Sequence, residues 1–161
     1  MAYFEPATQT EEMIALAWKL EEGSRKFYGE MIKREKDQKA VNLFQELSKD
    51  EERHQSSLEE IFKRQTGKEP DSRFFDSLLA AKPGEDYLEG GIRLVQALEW
   101  LEGKKLQDVL ELAVSLEADA IDLYIKMERK AERQDSKEVF QALSNQEAIH
   151  LDRLGTFREK I

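Results

Sequence analysis

Two short motifs in this chain could bind a cation, Glu51-x-x-His54 and Glu147-x-x-His150. Residues three apart lie on one face of a helix, about one turn along. A carboxylate and an imidazole at that spacing reach one point in space. Single glutamates, Glu21 and Glu117, complete the set. A shift of 96 residues superimposes the two halves without a gap. It carries Glu21 onto Glu117, Glu51 onto Glu147, and His54 onto His150, which are both of the chain's histidines. Leu20, Tyr28, Met31, Phe44, Leu47 and Leu58 likewise fall on Leu116, Tyr124, Met127, Phe140, Leu143 and Leu154.

The surroundings of the glutamates make the chemistry specific. Each sits on the apolar seam of its own segment. The first seam runs Ile14, Ala17, Glu21, Ser24, Tyr28, Met31, and the second Phe44, Leu47, Glu51, His54, Leu58, Ile61. The third runs Leu110, Ala113, Glu117, Ala120, Tyr124, Met127, and the fourth Phe140, Leu143, Glu147, His150, Leu154, Phe157. Steps of three and four are the spacing of one helix face. A buried carboxylate without a partner is costly, and no Lys or Arg occupies any of these positions. Two divalent cations would balance four carboxylates. Mixed imidazole and carboxylate ligation suits iron, with manganese and zinc as alternatives. With one histidine and one terminal glutamate per ion, Glu51 and Glu147 are the natural bridges and Glu21 and Glu117 the terminal ligands. Tyr28 and Tyr124 follow the single glutamates by two helical turns. They are read either as core aromatics or as hydroxyl donors to a ligating carboxylate. Ser24 and Ala120 leave room near the ions or simply pack.

The elements that must hold these residues are four long helices in two hairpins. Asp37 and Ser136 are the expected N-caps of the second and fourth helices. The charged links Lys33 to Gln38 and Arg129 to Asp135 are short enough for antiparallel pairing. The sequence thus reads as an all-α four-helix bundle in a single domain spanning 1–161. Hairpin 1 covers about 10–66, a crossover about 67–105, and hairpin 2 about 106–158. The crossover contains the breakers Pro70, Pro83-Gly84 and Gly90-Gly91. Its apolar stretches, Phe74 to Ala81 and Ile92 to Leu101, predict one or two short helices. Phe74, Phe75 and Trp100 are expected to cover the bundle or to form a dimer contact.

Composition narrows the function classes. Of 161 residues, 40% are hydrophobic and 37% charged, with only 8 glycines and 3 prolines, which favours long amphipathic helices over sheet. There is no cysteine, which excludes thiolate metal sites and cysteine nucleophiles and fits a reducing compartment. A formal net charge of -9 argues against nucleic acid, since phosphate binding needs a basic face. Met1 to Glu12 has no apolar run of the signal-peptide kind. No stretch of about 18 apolar residues suggests a membrane span. The expected location is the cytoplasm.

Taken together, these motifs resemble the rubrerythrin-like branch of the ferritin-like superfamily. The likeness rests on Glu21 through Tyr28, on Phe44-x-x-Leu47-x-x-x-Glu51-x-x-His54, and on their second-half counterparts. It covers about residues 10–62 and 106–158. It implies a ferritin-like bundle with a di-iron centre that reduces peroxide or oxygen, and a homodimer. Rubrerythrins draw electrons through a cysteine-ligated rubredoxin domain, so here the resemblance implies an external electron donor. They also carry a further glutamate one turn after the single glutamate of the third helix. Ala120 stands at that position, and the remaining six-residue set is similar to the symmetric centre of bacterioferritins. Iron oxidation for storage or delivery, and a non-redox metal-stabilised bundle, are the alternative functions.

Overall fold

The computed structural model describes residues 10–79 and 85–161. Among the described residues, six helices account for the chain: α1 (Thr10–Arg34), α2 (Gln38–Thr66), α3 (Ser72–Leu78), α4 (Leu94–Leu101), α5 (Leu106–Lys130) and α6 (Gln134–Glu159). The four long ones form the all-α ferritin-like bundle. α1 lies along α2, α5 lies along α6, and α2 meets α6. Links of three residues, 35–37 and 131–133, close the hairpins.

Local chemistry explains most helix ends. The Asp37 carboxylate accepts the backbone N–H groups of Lys39 and Ala40 at 2.9 and 3.2 Å, as expected of an N-cap. α2 stops at Gly67, whose φ of 71° suits a residue without a Cβ, and whose N–H donates to the Lys63 carbonyl at 2.9 Å. Ser136, in contrast, does not cap the fourth helix. α6 begins two residues earlier with Arg133 at the N-cap position. Ser136 is buried, and its hydroxyl instead accepts a hydrogen bond from Gln65 Nε2 at 2.6 Å.

The two apolar stretches of the crossover appear as α3 and α4. Asp71 caps α3 by accepting the Phe74 N–H at 2.8 Å. Phe75 is fully buried against Trp18 and Phe62, with ring centroids 5.2 and 5.0 Å away. Burial of one such ring contributes about 1.5–3 kcal/mol. A buried ion pair, Lys19 to Asp76 at 2.8 Å, also ties α3 to α1. Phe75 therefore covers the bundle, whereas Trp100 on α4 stays 53% exposed. The Pro83-Gly84 breaker, the expected helical residues Ala80 and Ala81, and the N-terminal residues before Thr10 lie outside the described residues.

The core is split in a way that matters for the site. One apolar cluster gathers Leu20, Leu58, Ala120, Phe140 and Leu143, among others. The second gathers Phe27, Leu47, Leu116 and Leu154. Every long helix contributes to both. The segment between its two contributions is where its glutamate or Glu-x-x-His falls. A polar layer therefore crosses the middle of the bundle, closed above and below by hydrocarbon.

Candidate metal centre

That layer brings all six predicted residues together. Glu21, Glu51, His54, Glu117, Glu147 and His150 are each at most 5% exposed. They form two overlapping sets of four, Glu21, Glu51, His54, Glu147 and Glu51, Glu117, Glu147, His150. Within each set, one potential ligand atom per residue lies within 4.8 Å of all the others. Glu51 and Glu147 belong to both sets, while each set has its own histidine and its own single glutamate. His54 Nδ1 lies 2.9 Å from Glu147, 3.2 Å from Glu21 and 4.0 Å from Glu51. His150 Nδ1 lies 3.1 Å from Glu51 and 3.7 Å from both Glu117 and Glu147. The two imidazoles face each other nearly parallel, with centroids 5.6 Å apart.

Several of these close contacts are poorly aligned. Both oxygens of Glu51, Oε2 of Glu117, Oε1 of Glu147 and Nδ1 of His150 are buried without a hydrogen bond, although imidazole and carboxylate atoms sit near them. Buried polar atoms ordinarily find a partner. Atoms that converge on a common centre rather than on one another are the arrangement that a cation would satisfy. The donor set is chemically suited to one, with carboxylate oxygens and imidazole nitrogens and no competing Lys or Arg among the described residues.

Electrostatics point the same way. Burial pushes the Glu51 carboxyl well above the usual carboxylate range, and the Glu147 and Glu21 charges add to it. Burial and Glu147 push Glu117 up to about 8. Burial also acts to raise Glu21, but His54 and the Tyr124 hydroxyl outweigh it and hold Glu21 below its ordinary value. Glu147 is likewise lowered, because contacts from Glu117, His150 and His54 outweigh burial and the Glu21 charge. Burial acts to lower both histidines, yet the surrounding carboxylates raise His54 to about 10 and His150 to about 11. Near neutral pH Glu117 and both imidazoles hold protons, and Glu51 is shifted in the same direction. Metal ligation would have to displace the protons this layer holds.

The tyrosines act across the bundle. Tyr28 on α1 donates its hydroxyl to Glu117 on α5 at 2.6 Å. Tyr124 on α5 donates to Glu21 on α1. Each ring stacks on the phenylalanine of its own hairpin, Tyr28 on Phe44 and Tyr124 on Phe140. They are core aromatics and carboxylate donors at once. The single glutamates are thereby held by a hydroxyl from the opposite hairpin.

Sequence reasoning missed two further residues at this site. Asp50 Oδ2 lies 3.0 Å from His150 Nε2 and turns the ring so that Nδ1 faces the cluster. The 96-residue shift places Gln146 opposite Asp50, so the symmetry that revealed the other residues concealed this one. Glu89, from the crossover, is only 3% exposed and accepts the Ser24 hydroxyl. Its signal was Gly23. A glycine inside a helix usually has a packing reason, and a Cβ at Gly23 would stand 1.9 Å from the Tyr87 carbonyl oxygen. A surface groove of about 680 Å³ between the start of α2 and the end of α6 touches none of these residues.

The profile of one protein family, Rubrerythrin, matches residues 3–76 and 108–161. No curated protein matches the sequence.

Proposed function

The chain belongs to the rubrerythrin family, and from that premise we propose that it holds two iron ions and reduces peroxide or oxygen with electrons from an external donor. The ligands in this reading are Glu21, Glu51, His54, Glu117, Glu147 and His150. The observation that carries it is the pair of overlapping four-residue sets, whose buried, unsatisfied atoms converge from four helices. Bound iron would supply the electron transfer to the O–O bond.

The protein's own contributions follow from the geometry. Glu51 and Glu147 are shared by the two sets, which suits them to bridging. Glu21 and Glu117 serve one set each, and the Tyr124 and Tyr28 hydroxyls fix their orientation. Asp50 fixes the tautomer and aim of His150. The apolar clusters on either side exclude water from the polar layer. With no cysteine among these 161 residues, electrons reach the centre from outside this bundle. Among the described residues no helix is long and apolar enough to cross a membrane. The proposal includes a cytoplasmic homodimer, the assembly the family resemblance implies.

A second reading, iron oxidation for storage or delivery, is favoured by one observation. Ala120 stands where rubrerythrins carry an added glutamate, which leaves the six-residue set symmetric. Stopped-flow mixing of the Fe(II) protein with peroxide and with oxygen separates the two. Repeated peroxide consumption with a supplied reductant supports the first reading. Turnover of added Fe(II) with oxygen, without peroxide reduction, supports the second. Oxidation no faster than that of free iron refutes both.

A further inference from the structure

Glu89 is a buried carboxylate that the six-residue set does not use. Its oxygens lie 3.1 and 2.9 Å from the Ser24 hydroxyl, and no cation pairs with it among the described residues. Ser24 lies one turn beyond Glu21 on the same seam, so Glu89 stands at the α1 flank of the polar layer. Burial pushes its carboxyl well above the usual range, and Glu21, Glu117 and Glu147 push it further. It is therefore within electrostatic reach of three of the four site carboxylates.

Glu89 also lines a cavity of about 290 Å³, with Gly90, Asp119, Asp122 and Lys126. The last three are exposed on α5, and Lys126 pairs with Asp122 at 2.8 Å. Two leucines complete the wall, Leu20 and Leu123, the neighbours in sequence of Glu21 and Tyr124. The cavity thus leads from carboxylates in solvent to a buried carboxylate beside the centre.

The backbone is built to put it there. Gly23 lets the crossover pass against α1. Gly90 has a φ of 87°, and a Cβ on it would lie 2.8 Å from Asp119 Oδ2. Backbone bonds from Leu88 N to Ile92 O at 2.8 Å and from Leu94 N to Asp86 O at 2.9 Å clamp the turn. Packing alone would not need an acid here. Leu88 next to it already fills the core, and an uncharged side chain is cheaper to bury.

We propose that Glu89 is the inner relay of an access passage for divalent cations, receiving them past Asp119 and Asp122 and handing them to Glu21 and Glu117. This rests on the two-metal reading of the centre. The test is stopped-flow loading of the metal-free protein with Co(II), followed by its visible absorption, together with the final Co(II) count. Glu89→Gln keeps the shape and removes the carboxyl that would ligate a passing cation. It should still reach two Co(II) per chain, but about tenfold or more slowly, the scale on which a charged cleft accelerates capture. Asp119→Lys, at the exposed mouth, should also slow loading, most strongly at low salt. A wild-type loading rate in either variant overturns the passage and leaves the two-metal centre standing. A wild-type protein that binds no Co(II) overturns both.

Discussion

Metal loading should expel about three or more protons per chain at pH 7. The perturbation is the addition of two divalent ions to the metal-free protein. Before loading, Glu117 lies near 8, His54 near 10 and His150 near 11, and all three hold a proton at pH 7. Burial and the neighbouring carboxylates shift Glu51 in the same direction, while Glu21 and Glu147 are shifted toward ionisation. Ligation requires deprotonated carboxylates and neutral imidazoles, so every proton held there must leave. The count should fall by about one between pH 7 and pH 9, where Glu117 is already ionised. Carboxyls and histidines with ordinary values would release only about half a proton in total at pH 7, nearly all of it from the imidazoles. Zn(II) titration of weakly buffered protein with an indicator dye gives the number directly. Calorimetry in two buffers of different ionisation enthalpy provides a second measurement. Release below about one proton per two ions would refute the reasoning, because the layer would then not hold these protons.

The same shifts set the stability of the metal-free protein against pH. Glu117 and the histidines bind protons more tightly folded than unfolded, so their contribution is complete below their unfolded values and is lost as pH rises through about 8 and then 10–11. Glu21 and Glu147 are lowered, so their contribution is lost as pH falls below the ordinary carboxylate value. Thermal melts should peak near the ordinary carboxylate value of about 4–5, where both contributions are nearly complete, and decline as pH rises, with the alkaline decline removed by metal. Asp50→Asn should weaken one of the two ions by about tenfold or more while sparing the other, because only His150 loses its orienting carboxylate; calorimetric titration resolves this. Two glycines of α1 should respond with opposite signs in denaturant melts. Gly23→Ala meets the Tyr87 carbonyl and should cost about 1–3 kcal/mol, whereas Gly29→Ala meets nothing within 4 Å and should gain about 0.5–1 kcal/mol.

These residues also show what the sequence could and could not reveal. The four seams were legible because burial in a helix imposes a period, and three of them are buried throughout, Phe157 alone of the fourth being half-buried. The six clustered residues were legible because a carboxylate on an apolar seam contradicts that burial. Asp37 read correctly as a cap because its exposed carboxylate serves the backbone N–H groups beside it, and Ser136 did not because Gln65 draws its hydroxyl into an interhelical contact. Glu89 and Asp50 were harder to read. Glu89 comes from the crossover, which obeys no repeat or period, so its one signal was Gly23 in α1, and Asp50 of α2 has Gln146 at its symmetric position.

The central claim is that the polar layer is a two-metal centre. Anaerobic Fe(II) loading of the full chain, followed by metal analysis after desalting, tests it most directly. The account predicts two ions per chain in the wild type, the loss of both in Glu51→Ala and the loss of one in His150→Ala. Fewer than one ion per chain, with Glu51→Ala and His150→Ala indistinguishable from wild type, would contradict it.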